Sequence, residues 1–136
     1  MAAPGQSIAP GRWDVTSTAV DLEIPGAPGL LLRMMKGRSK VERKCVAPEQ
    51  ARFGVAALLV PDPKAQCRVD SVRIEGGRYA QVLSCPQKKG APLNISRTGT
   101  YNSAGFAGRL QLVGATPKGA MRITLDQRAV RSAKPC

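Results

Sequence analysis

The side chains with most chemistry to offer in this 136-residue chain are four cysteines, Cys45, Cys67, Cys85 and Cys136, and no histidine accompanies them. Successive cysteines lie 22, 18 and 51 residues apart. Zinc sites draw on close C-x-x-C pairs or on histidine, so these intervals do not form a chelate pattern and no metal is expected. An even number of cysteines in a small domain instead fits two disulfides formed in an oxidising compartment, with free structural thiols as the weaker alternative. Without histidine the commonest general base is missing, and no Ser/His/Asp or Cys/His arrangement can be drawn. The nine carboxylates are scattered, most beside a basic neighbour, so no acid–base pair is indicated. The reading is of a protein that binds rather than catalyses, with no cofactor.

The net charge of +12 points to an anionic partner, and it is uneven. Residues 1–75 hold 11 Lys/Arg against 8 Asp/Glu, whereas residues 76–136 hold 10 against Asp126 alone. The most basic segment carries Arg33, Lys36, Arg38, Lys40, Arg43 and Lys44, read either as an anion-binding site or as a solvated edge strand protected by its charges. Met34 and Met35 beside Leu30–Leu32 form either an adaptable apolar lip for a ligand or part of a buried strand. Trp13 is either a core residue or an aromatic platform in a ligand site. The few aromatics (Trp13, Phe53, Tyr79, Tyr101, Phe106) are not interleaved with the basic residues, which argues against nucleic acid.

The elements that position these residues are mostly strands. Residues 1–11, with two Pro and two Gly, read as a disordered arm ahead of a single disulfide-stapled β domain over 12–136. The opening Met-Ala-Ala-Pro-Gly-Gln-Ser shows neither the charged nor the apolar region of a signal peptide, and no apolar run approaches the length of a membrane helix. A first strand is expected over Trp13–Ile24, ended by Pro25-Gly26-Ala27-Pro28-Gly29. A second is expected from about Leu30 to Val46, bent at Gly37. Pro48-Glu49-Gln50-Ala51-Arg52 has the signature of a helix start, predicting one short helix near 48–60, stopped by Pro61.

Glu75-Gly76-Gly77-Arg78 predicts a two-residue hairpin turn between 69–74 and 79–84, with Glu75 facing Arg78, Ile74 facing Tyr79 and Val72 facing Gln81. Further strands are expected over 93–101, 106–113 and 120–129, the last with Met121, Ile123 and Leu125 on one face. The fold class is therefore mostly β: an antiparallel meander forming a curled sheet or small barrel. With Glu75 facing Arg78, Cys67 and Cys85 point to opposite faces of the sheet and should not bond each other, which leaves two connectivities. Cys45–Cys67 with Cys85–Cys136 is favoured, because it closes the helical excursion onto its flanking strands and ties down the C-terminus.

The chain runs from Gly11-Arg12-Trp13-Asp14-Val15-Thr16 through the Pro/Gly-rich 25–29, Cys45-Val46-Ala47-Pro48-Glu49, two mid-chain cysteines and Gly99-Thr100-Tyr101 leading to Phe106-Ala107-Gly108, to a final cysteine. This order of landmarks resembles the bacterial domain of unknown function 3617 family, predicted periplasmic proteins of proteobacteria. It implies a periplasmic or secreted setting and a β fold, and no activity. The expectation is a non-catalytic binder of an apolar or amphipathic anionic molecule of the cell envelope. The alternatives are a protein-interaction module, such as an inhibitor or assembly factor, and an anionic-polymer binder.

Overall fold

The structure is a computed structural model that describes residues 7–136. Seven antiparallel strands form one sheet: β1 (Gly11–Glu23), β2 (Ser39–Val46), β3 (Arg68–Glu75), β4 (Arg78–Cys85), β5 (Leu93–Asn102), β6 (Gly105–Thr116) and β7 (Gly119–Arg131). The strand order is β2-β1-β7-β6-β5-β4-β3, so β3 to β7 are a plain meander to which the N-terminal hairpin adds itself along β7. The two outer strands, β2 and β3, do not pair with each other, and the sheet is not closed into a barrel. The expected hairpin forms as read: Glu75 faces Arg78 across Gly76 and Gly77, whose φ values of 61° and 79° suit a turn that requires positive φ.

The chain passes from one edge of the sheet to the other through residues 47–67, and this crossing supplies the plug of the core. The expected helix is present only as a four-residue α-helix, α2 (Pro48–Ala51), followed by a 3-10 turn over Gly54–Leu58. Gly54, at φ 66°, ends helical geometry where the sequence pattern would have continued it. Ala51, Val55, Leu58 and Leu59 of the plug pack with Trp13, Val15, Tyr79, Phe106 and Ala129 of the sheet. Alternation delivers those sheet residues to one face, which curls around the plug.

Three expectations are corrected. Residues 1–6 of the N-terminal arm lie outside the described residues, but 7–11 are tied down. Ile8 is buried in the core, its amide donating to the Ala51 carbonyl (2.9 Å), and the Arg131 guanidinium donates to the Pro10 carbonyl (2.9 Å). The predicted strand over 30–46 is a helix, α1 (Gly29–Met35), and then β2. Leu30 to Met35 contains no β-branched residue and only good helix formers, and Gly37, at φ 89°, turns the chain into the strand.

The disulfides are Cys45–Cys136 and Cys67–Cys85, not the favoured pairing. The cause is one residue. Register holds from Glu75 back to Ser71, then shifts at Asp70, so that Val69 faces Leu83 and Arg68 faces Ser84. This β-bulge reverses side-chain parity and brings Cys67 onto the face of Cys85. Asp70 fastens the bulge by accepting from the Ser84 hydroxyl and from Arg68 Nε, bonds that hold its carboxyl below the usual carboxylate range.

Gly99 and Gly108 face each other on β5 and β6, and the Tyr79 ring reaches across them. A Cβ on Gly99 would stand 2.6 Å from the Tyr79 hydroxyl, and one on Gly108 would strike the Thr98 carbonyl and the same hydroxyl. Gly108→Ala is therefore expected to lower stability by about 2 to 3 kcal/mol, by forcing strand or ring to move in a packed core. Urea unfolding of the variant checks this, and a midpoint unchanged from wild type would refute it.

Candidate functional site

The inner face of the sheet has a dry half under the plug and an open half beyond it. In the open half Leu110 faces Leu125, Leu112 lies between Ile95 and Ile123, and Leu22 flanks Ile123, all half-buried. Leu22 belongs to this strip because a second bulge, at Val20, shifts the register after Ala19 and turns Asp21 away from it. The alternation read in β7 is borne out, with Met121, Ile123 and Leu125 on this face.

A polar belt separates the halves. Arg97, on β5, is only 6% exposed; its Nε donates to Gln127 Oε1 (3.1 Å) and its Nη1 to Gln81 Oε1 (3.3 Å). Gln127 Nε2 donates onward to Ser17 Oγ (3.0 Å), and Gln81 Nε2 to the Leu59 carbonyl (2.9 Å), so the belt runs from β1 to the plug. The guanidinium also lies 5.6 Å from the centre of the Phe106 ring. Among the described residues no carboxylate lies within ion-pair distance of Arg97. Beside the belt the Tyr79 hydroxyl is buried without a hydrogen-bond partner among the described residues. Burial raises its pKa, with Arg97 opposing.

Although β2 is four strands from β5 in the sheet order, its inner-facing Lys44 and Glu42 sense Arg97 electrostatically, because the curl turns β2 back towards β5. Burial holds the Lys44 ammonium below its usual range, with Glu42 opposing and Arg97 adding to the fall. Burial likewise lowers the Arg97 guanidinium, against the influence of Tyr79 and Glu42. Two grooves, each about 650 Å³, meet at Glu42 and Asp62. One runs between β2 and the plug, past Phe53, Ala57 and Val60; the other runs between Arg38–Glu42 and the sheet floor at Ser17, Ala19 and Leu125. A buried cation satisfied only by neutral amides, next to half-buried aliphatic side chains and a lysine-bearing edge, suits an anionic group carried on an apolar body.

The residues singled out from sequence are dispersed. Trp13 is 1% exposed and donates from Nε1 to the Ala9 carbonyl (2.8 Å), so it is core and its reading as a ligand platform is corrected. Met34 and Met35 lie on α1, exposed, and line neither groove, which corrects both their ligand-lip and buried-strand readings. The basic run is divided: Arg33 and Lys36 belong to α1 and its C-cap, Arg43 pairs in register with Asp14, and Arg38, Lys40, Arg43 and Lys44 border the grooves. Its strand portion, β2, is an exposed edge.

Sequence reasoning passed over Arg97, Gln81 and Gln127, yet a signal was there. In β5 Arg97 shares the parity of Leu93, Ile95 and Tyr101, in β4 Gln81 that of Tyr79 and Leu83, and in β7 Gln127 that of Leu125 and Ala129. Each is a polar residue at an inward-facing step.

No curated protein and no solved structure matches the chain. The strand order, the opening Gly11–Thr16 that starts β1, the paired Gly99 and Gly108 beneath Tyr79 and the four bonded cysteines all fall within residues 8–136, which match the family described as Protein of unknown function (DUF3617); the chain belongs to that family.

Proposed function

We propose that this protein is a non-catalytic, periplasmic or secreted binder of a single-chain amphipathic anion, held with its apolar part along the open half of the sheet and its charged end at Arg97, Lys40 and Lys44. The observation that carries the reading is the almost wholly buried Arg97, which has two neutral side-chain acceptors and, among the described residues, no carboxylate within ion-pair distance. Desolvating a guanidinium without a counter-ion is costly, and an incoming anion relieves that cost. The two disulfides support an oxidising setting, and among the described residues no helix is long and apolar enough to cross a membrane.

Laurate and its uncharged counterpart dodecanol test the reading by calorimetric titration of wild type and Arg97→Gln. A charge-assisted hydrogen bond of about 1.5 to 3 kcal/mol predicts a roughly 10- to 100-fold weaker laurate affinity in the variant. Dodecanol should bind both proteins weakly and alike. The reading fails if the variant binds laurate as wild type does, or if dodecanol competes equally.

A further inference from the structure

Helix α1 presents its apolar side to solvent. Leu30, Leu31, Met34 and Met35 are 66%, 47%, 55% and 36% exposed, and no residue of the helix is buried. At 100° per residue these four occupy an arc of about 140°, with Arg33 on the opposite side, so they form a continuous stripe. A globular protein ordinarily turns such a stripe inward, and a contiguous exposed one marks an interaction surface.

The surroundings of the stripe identify what it meets. Gly37 and Arg38, which follow α1, bond through their backbones to Ala19 of β1, and Gly26, which precedes it, lies against the Lys118 side chain in the β6–β7 turn. The β4–β5 connection, with Lys88 and Lys89, lies at this same end of the sheet, since Cys85 faces Leu93 and Gly114 approaches Gln87. Arg33, Lys36 and Arg38 thus belong to the stripe's own segment, and Lys118, Lys88 and Lys89 lie in turns at the same end of the sheet; among the described residues none of the six is in an ion pair. Among the described residues, the nearby Glu23 pairs with Arg122.

We infer that α1 is an interfacial anchor that docks this end of the molecule on an anionic lipid bilayer, its Leu and Met side chains entering the headgroup region while the surrounding cations face the lipid charges. An apolar helical face bordered by Lys and Arg is the physical requirement for such binding, and each cation adds to it. A folded acidic protein would supply the charge, but it would also need a matching apolar groove, whereas the stripe and the cations at its end of the sheet fit a fluid surface without one. The inference is independent of whether the sheet holds a ligand, although docking here would set the strip of Leu22 and Ile123 beside the membrane.

Sedimentation with vesicles tests it, using equimolar phosphatidylglycerol and phosphatidylcholine against phosphatidylcholine alone, for wild type and two variants. One is Leu30→Ser/Leu31→Ser/Met34→Ser and the other Arg33→Gln/Lys36→Gln/Lys118→Gln, with Trp13 emission confirming that each folds. Wild type should partition at least tenfold more strongly into the anionic vesicles. Each variant should lose most of that difference, and raised salt should weaken wild type. Failure of wild type to sediment with anionic vesicles overturns the inference, as does equal sedimentation of the serine variant. So does a wild-type dimer in analytical ultracentrifugation that the serine variant abolishes, because the stripe would then belong to a second copy.

Discussion

Replacing Cys45 and Cys136 together by serine should remove more stability than replacing Cys67 and Cys85 together. That bridge spans 91 residues against 18 for Cys67–Cys85. By the chain-entropy account the longer loop contributes about 4.5 kcal/mol and the shorter about 3 kcal/mol, against a net stability of about 5 to 15 kcal/mol for an ordinary domain. The bridge also holds the C-terminal segment, which leaves the sheet after Arg131, against the edge strand β2. Urea unfolding followed by emission from the buried Trp13 measures both double variants. A larger loss from Cys67→Ser/Cys85→Ser would show that local geometry at the bulge, and not loop closure, governs the contribution.

The second large effect is expected at the plug. Leu58 is fully buried between the two edges of the sheet, so Leu58→Ala should cost about 3 to 4 kcal/mol from lost transfer energy and the cavity left behind. Phe53→Ala, five residues earlier, is the control. Phe53 is 59% exposed on the wall of the groove, with the Arg52 guanidinium 4.9 Å from its ring centre, so its removal should cost under about 1 kcal/mol. If the two substitutions shift the urea midpoint alike, the plug is not the keystone of the core.

Much of the fold was legible because hydrophobic alternation and turn chemistry act locally. The Gly76-Gly77 turn dictated Glu75 opposite Arg78, and the alternation in β7 dictated its buried face. What escaped was each place where a single residue overrides a period. The bulge at Asp70 leaves no compositional mark, since an aspartate in an exposed edge strand looks ordinary, yet it decides which cysteines meet. The bulge at Val20 likewise exchanges Asp21 for Leu22 on the inner face. Helix α1 escaped because tertiary burial is the usual guide to an apolar run, and this run is not buried. Arg97 escaped because its charge suggested the surface, whereas the parity of its neighbours placed it inside.

The pairing of β1 with β7 bears on how such a chain can be made. Val15 finds Ala129 and Thr16 finds Arg128 only after almost the whole sequence is available, so the N-terminal hairpin has no sheet to join while the meander is still being synthesised or threaded across a membrane. Contacts this far apart in sequence slow folding and prolong the exposure of unpaired edges. Cys45 meets the same delay. The first thiol to follow it is Cys67, and oxidation in order of appearance would join those two and strand Cys85 with Cys136. The native bridges are the ones that vectorial emergence disfavours, so a maturing chain depends on thiol–disulfide exchange, or on keeping Cys45 reduced until Cys136 arrives.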